Sequence, residues 1–201
     1  MRLFILCIFF FQSFVLVSQT SAEKLKSIFT IHDAEQYVSS HPEDNVLIFT
    51  MSPEIEGPDV VKEFSSRKVG DIFTQDENTF KIIDEADIQA SRVSYVYLDG
   101  NKLSFPEINK LREQIVREYK QGKPFAELAN KYTMDTNKNG DLGWFTEGTM
   151  VPIFGSSIQK HKLNDIFIVD IPENKWYYVV LKTFDSKKVK NLTVIRVKSS
   201  T

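Results

Sequence analysis

Asp135 is the carboxylate whose neighbours most suggest chemistry. It lies in a polar run from Thr133 to Asp141, rich in Asp, Asn, Lys and Thr and interrupted by Gly140, which is loop composition. Just before it, Phe125, Leu128, Ala129 and Tyr132 repeat at i, i+3, i+4 and i+7, the spacing of one apolar helix face. Just after it, Leu142, Trp144, Phe145, Met150 and Phe154 crowd apolar side chains together. A carboxylate beside such a surface predicts a pocket for something partly apolar. Asp135-Thr136-Asn137-Lys138-Asn139-Gly140 also matches the opening of a calcium loop, D-x-N-x-N-G. The twelfth position of that loop is Thr146, however, and Glu147 falls one place too late. His32, His41 and His161 are scattered, without the carboxylate or cysteine spacing of a metal site. No Gly-rich phosphate loop and no G-x-S-x-G is present, so nucleotide binding and serine hydrolysis have no support.

The same stretch carries a family pattern. F-A-E-L-A-x-x-Y-[ST]-x-D from Phe125 to Asp135, G-D-L-G-W-F from Gly140 to Phe145, and M-V-P-x-F from Met150 to Phe154 together resemble a parvulin-type peptidyl-prolyl cis–trans isomerase of the bacterial exported kind. The resemblance implies an α+β fold, with a four-stranded antiparallel sheet and flanking helices over residues 91–185. It implies that Leu142, Met150 and Phe154 form an apolar cup for the proline ring, with Trp144 beside them, and that Asp135 takes the central Cys or Asp position. The family commonly has histidines in R-x-S-H and G-x-H-x-[IV]. Here those positions read Arg92-Val93-Ser94-Tyr95 and Trp176-Tyr177-Tyr178-Val179, so both are tyrosines. A tyrosine keeps a hydrogen-bonding hydroxyl but supplies no imidazole. The expected catalytic groups are therefore Asp135, Tyr95 and Tyr178 in one hydrogen-bonded network. No metal or cofactor is implied, because rotation about an amide needs neither. No Arg cluster stands between Tyr95 and Leu103, which argues against a phospho-Ser-Pro preference. The implied substrates are proline-containing segments of unfolded exported proteins. The alternative is a non-catalytic periplasmic chaperone or peptide-binding module on the same frame.

Elements to position these groups can be read around them. Ser91 to Leu98 alternates as a strand and ends at the turn dipeptide Asp99-Gly100. Ser104-Phe105-Pro106-Glu107 has capping-box spacing, and Ile108, Leu111, Ile115 and Tyr119 mark one face of the helix that follows. Phe154 to Gln159 predicts a short helix, and Asp165–Val169 and Trp176–Thr183 predict strands. The tail, residues 186–201, alternates Val189, Leu192, Val194, Ile195 and Val197 as an additional edge strand.

Residues 23–90 read as a small α+β unit with no catalytic signal. Strands are expected at Ser27–Ile31, Val46–Met51 and Phe80–Ile83, helices at Asp33–Ser40 and Asp59–Arg67, and a solvated loop at Asp84–Asp87. Val69–Thr74 followed by Phe80–Ile83 echoes Leu163–Ile168 followed by Tyr177–Val180, with spacing that differs by two residues. A diverged copy of the second unit and chance similarity both fit this echo.

Residues 1–20 have the order of a secretory signal peptide: Arg2, an apolar run from Leu3 to Val17 broken by Gln12 and Ser13, then small or polar residues. Cleavage between Ser18 and Ala22 would remove Cys7, the single cysteine, and leave no membrane span. The mature chain would carry no disulfide in the periplasm or cell envelope, so an apolar core must hold it together. The full 201 residues are 42% apolar and 26% charged, with a formal net charge of −2. Such a balance offers no electrostatic reason to bind nucleic acid.

Overall fold

The computed structural model describes residues 20–198; the expected signal peptide lies outside the described residues, except for Thr20. Helices α1 (Ser21–Lys26) and α2 (Ile31–Ser40) lead into strand β1 (Val46–Met51), helix α3 (Pro58–Phe64) and strand β2 (Ile72–Gln75). Strand β3 (Asn78–Asp99) is 22 residues long. Helices α4 (Phe105–Lys120) and α5 (Phe125–Tyr132) follow, then β4 (Asp141–Thr146), α6 (Pro152–Gln159), β5 (Ile166–Ile171), β6 (Trp176–Lys182) and β7 (Lys187–Lys198). The result is an α+β fold built on one seven-stranded sheet. Every pairing in the sheet is antiparallel.

β3 organises the sheet. Its first half pairs with β2 and β7, and β7 also pairs with β1. Its second half pairs with β4 and β6, and β6 pairs with β5. The expected boundary between residues 90 and 91 therefore falls inside an unbroken strand. Two layers of side chains cover each half. On the second half, Val96, Leu98, Val179 and Leu181 pack against Ile108, Ile115, Phe125, Leu128 and Ala129 of α4 and α5. The opposite face holds Val93, Val169 and Val180 against Phe154 and Ile158 of α6. On the first half, Leu25 and Ala34 of the leading helices and Ile28 between them cover Ile83, Ile195 and Val197. Phe64 of α3 covers Phe73, Ile82, Leu192 and Val194 on the other side.

Local expectations fail in four places, each for a physical reason. Ser27–Ile31 is no strand. Thr30 caps α2 by accepting from Asp33 N at 3.1 Å, while Asp33 Oδ2 accepts from Phe29 N and Thr30 N, so the segment is a helix–helix joint. Asp84–Asp87 is exposed, as a loop would be, yet it continues β3 because β7 supplies its backbone partners. Glu85 also pairs with Lys190 at 3.0 Å. The polar run to Asp141 has loop composition, but its last residue opens β4 (Asp141–Thr146), the fourth strand of the second half, because β3 supplies backbone partners there. The tail strand lies between β1 and β3 rather than at an edge, because it carries buried residues that only a two-sided position can cover.

The sequence echo has a structural counterpart. Lys68 N donates to Asp71 Oδ2 at 3.0 Å, and Lys162 N to Asp165 Oδ2 at 2.8 Å. Gly70 and Asn164 both have positive φ, and their amides donate to the carbonyls of Ile82 and Lys182. Arg67 lies over the Phe73 ring at 4.0 Å, where His161 stacks on Phe167 at 3.7 Å. Each turn follows a helix with proline in its first turn, α3 or α6. The strand orders β1-β7-β3-β2 and β4-β3-β6-β5 then correspond, with the C-terminal strand filling in the first unit the place that β3 fills in the second. The structure thus favours two copies of one unit over chance.

Candidate functional site

The site begins with how the Asp135 loop is pinned. Thr133 ends α5 and its Oγ1 accepts from Tyr97 N at 3.1 Å, while Met134 N donates to Tyr97 O at 2.9 Å. These bonds tie the loop to β3. At the far end, Asn139 N donates to Asn130 Oδ1 at 2.8 Å, and Asn130 Nδ2 donates to Asn139 Oδ1 at 2.7 Å. Gly140 has φ +71°, and a Cβ there would lie 2.5 Å from Tyr95 O and 2.7 Å from Ala129 Cβ. Only glycine lets the loop backbone approach β3 this closely.

Asp135 is held from both oxygens. The Tyr95 hydroxyl donates to Oδ2 at 2.8 Å, and Oδ1 accepts from Thr133 Oγ1 at 2.9 Å and from Asn137 N at 3.1 Å. Burial, followed by the bond to Asp135, pushes the Tyr95 hydroxyl up to about 12. Burial, followed by the charge of neighbouring groups, pushes Tyr178 up to about 12 as well. Both phenols are therefore neutral donors at physiological pH. The expected network forms only in part. Among the described residues no hydrogen bond joins Tyr178 to Asp135. Its ring instead packs edge-on against Phe154 at 5.1 Å and Tyr95 at 5.8 Å.

Beside the Tyr95–Asp135 pair lies a cavity of about 280 Å³, lined by Tyr95, Leu142, Met150, Phe154, Trp176 and Tyr178 among others. Phe154 is buried, held by α6, and Leu142 and Met150 are half-buried. The apolar residues expected to share a cup thus do so, except Trp144. That side chain packs at a tilt against Phe184 at 5.6 Å, with Lys187 Nζ 4.7 Å above its ring, and it does not line the cavity. The reason is Gly143, whose φ of +73° accompanies a register shift between β3 and β4 and breaks the side-chain alternation. Leu142 and Phe145 reach the cup's face while Trp144 does not.

Five contributing residues were not read from the sequence. Trp176 lines the cup from the start of β6, and no periodicity links it to the Asp135 loop. Asn137 and Thr133 hold Asp135, and the only local hint is the loop's abundance of short polar residues. Arg92 and Asp141 form a two-pronged ion pair, with Nε to Oδ1 at 3.1 Å, that clamps β3 to β4. This bond holds the Asp141 carboxyl below its usual range. Both residues sit inside the quoted motifs, which signalled a family without signalling their mutual contact.

Known proteins resemble this chain over part of its length. Foldase protein PrsA 1 of Bacillus cereus is 36% identical over 81 residues, covering 39% of this chain and 28% of the relative. Foldase protein PrsA of Bacillus subtilis is 32% identical over 82 residues, again 39% and 28%. The chain therefore spans less than a third of the length of these curated relatives. Among solved structures, the peptidylprolyl isomerase PrsA from Bacillus anthracis aligns at 27% identity and a TM-score of 0.42, over 51% of this chain and 44% of that one. The parvulin domain of PpiD from E. coli aligns at 15% identity and a TM-score of 0.40, over 50% and 91%. The family model of the PPIC-type PPIase domain matches residues 73–187, more than half of the chain, and the protein belongs to that family.

Proposed function

We propose that this protein is a parvulin-type peptidyl-prolyl cis–trans isomerase that is exported and assists folding of proline-containing, unfolded proteins in the periplasm or cell envelope. The observation that carries this reading is a tyrosine–carboxylate pair in which Tyr95, half-buried on the wall of an apolar cup, donates to the exposed Asp135 beside it. Family membership and the foldase relatives support it. The apolar run in residues 3–17 supports export.

The chemistry asks little of the protein. A planar X–Pro amide is held by resonance, which places negative charge on oxygen and positive charge on nitrogen, and rotation must cross a barrier of about 18–20 kcal/mol. The twisted amide is less polar and its nitrogen regains a lone pair. Leu142, Met150 and Phe154 grip the ring and strip water from the amide, which disfavours the planar, more polar form. Tyr95, its one proton donated to Asp135, presents its hydroxyl oxygen to the twisting amide, and Asp135 keeps that oxygen oriented. Tyr178 acts through its ring, as a wall of the cup. Catalysis follows to the extent that the twisted state is bound more tightly than either planar isomer. In this reading Asp135 and Tyr95 are the working polar pair, Tyr178 is an aromatic wall, and Trp144 lies outside substrate contact.

Cis–trans exchange measured by NMR on a panel of X-Pro peptides tests the proposal, with the Asp135→Ala variant beside the parent. Acceleration that falls with Asp135→Ala supports an isomerase. Peptide binding without any acceleration in the parent sinks the enzyme and leaves a chaperone on this frame.

A further inference from the structure

A second cavity lies on the other side of Met150. It measures about 410 Å³ and is bounded by Phe145, Gly148, Met150, Pro152, Gly155 and Ser156, with Gln89, Glu147 and Gln159 among the polar groups also lining it. That volume is within the range of pockets that bury small ligands. Two glycines keep it open. A Cβ added at Gly148 or Gly155 would meet no atom within 4 Å.

The first unit lacks these glycines. Counting from the proline that opens each helix, Val61 of α3 stands where Gly155 stands in α6. Where the second unit has the open Glu147–Thr149 loop, the first has a short 3-10 helix, Pro53–Ile55, with Pro53 buried and Glu54 Oε1 accepting from Lys190 N at 3.1 Å. The cavity therefore belongs to the copy that also carries the Tyr95–Asp135 pair.

We propose that this cavity is a second peptide subsite, which takes an apolar side chain of the client residue flanking the proline. The inference rests on the isomerase reading for the placement of proline in the first cup. Its occupant follows from continuity: Met150 lines both cavities, so a chain whose proline ring fills the cup runs over Met150 toward the second one. Phe145, Met150 and Pro152 give it apolar walls, and Gln89, Glu147 and Gln159 supply groups that can bond the peptide backbone beside the inserted side chain. The subsite would make the protein choose among X-Pro and Pro-X sequences by apolar bulk.

Titration of the full chain with peptides bearing Ala, Leu or Phe before the proline, and separately after it, tests this. The readout is the ratio of dissociation constants, with exchange rates recorded in parallel. At one of the two positions Leu or Phe should bind on the order of tenfold more tightly than Ala. Gly155→Val adds bulk at a position whose Cβ would meet no atom within 4 Å and should bring the ratio close to one, and Ser156→Leu, on the exposed rim of α6, should lower it in the same direction. Circular dichroism melts establish that both variants are folded. A ratio near one in the parent protein overturns the subsite, as does an undiminished ratio in the folded variants. Failure of the isomerase reading looks different: no peptide exchanges faster, while the affinity ratio is still read directly.

Discussion

The two halves of β3 support the same arrangement of strands, helix and turn, yet only one half makes a cup. Three substitutions account for the difference. Val60 occupies the helical position of Phe154, Asn78 the strand position of Tyr178, and Arg196 the strand position of Tyr95. With those rings go the apolar wall and the phenol that meets Asp135. What remains is a core, Phe64, Phe73, Ile82, Leu192 and Val194, with nothing that would distinguish a twisted amide from a planar one. Fold and site are thus separable here: the frame is kept by buried aliphatics and a shared turn, and the chemistry by a few aromatic positions.

If the first unit is a copy closed by the C-terminal strand, removing residues 187–198 should unfold it alone. Ile195 and Val197 leave one core layer and Leu192 and Val194 the other. Hydrogen exchange should show amide protection lost across residues 25–83 and kept in β4, β5, β6, α4 and α5. Uniform loss of protection throughout would mean the two units cannot be considered apart. The next largest effect separates the units by function. Asp135→Ala should slow prolyl exchange on the order of a hundredfold, the scale of losing one organised polar contact, whereas Val60→Ala should leave the rate per folded molecule unchanged.

Glycine sharpens the comparison at lower energy. Gly140→Ala forces a Cβ against Tyr95 O at positive φ and should cost about 1–3 kcal/mol in denaturant unfolding, along with activity. Gly57 caps α3 with ordinary φ and open space around it, so Gly57→Ala should change stability by less than about 1 kcal/mol. The smallest effect is the pH response. An imidazole pair would bend the rate profile near pH 6.5. With Tyr95 and Tyr178 in those places, the rate should be flat from pH 6 to 9. Their folded values of about 12 lie above the ordinary 10.0, so their stabilising contribution is whole below pH 10 and is lost as pH rises toward 12. A bend between pH 6 and 7.5 would implicate another titrating group.

Much of the second unit was legible along the chain because its signals are local. The α4 capping box, the apolar face of α5 and the Asp135 loop each involve residues a few positions apart. The cup's membership was also legible in part, since Leu142, Met150 and Phe154 are close in sequence and fit a family pattern. Trp144 was misplaced because one glycine bulge reverses which face a strand residue takes, and φ is not written in a residue's neighbours. Asp84–Asp87 reads as loop because its composition is that of a loop; only β7, distant in sequence, supplies the partners that extend it.

By itself the sequence determined helices α2 to α6, the Asp135 loop, the family and the tyrosines that replace histidine, all of them properties of short-range order and residue type. Tertiary structure alone decided that Tyr95 bonds Asp135 while Tyr178 only packs, that Trp176 joins the cup, and that the last strand completes the first unit. Each of these depends on pairing between segments far apart in the chain, where strand register and turn geometry choose the neighbours and local composition does not.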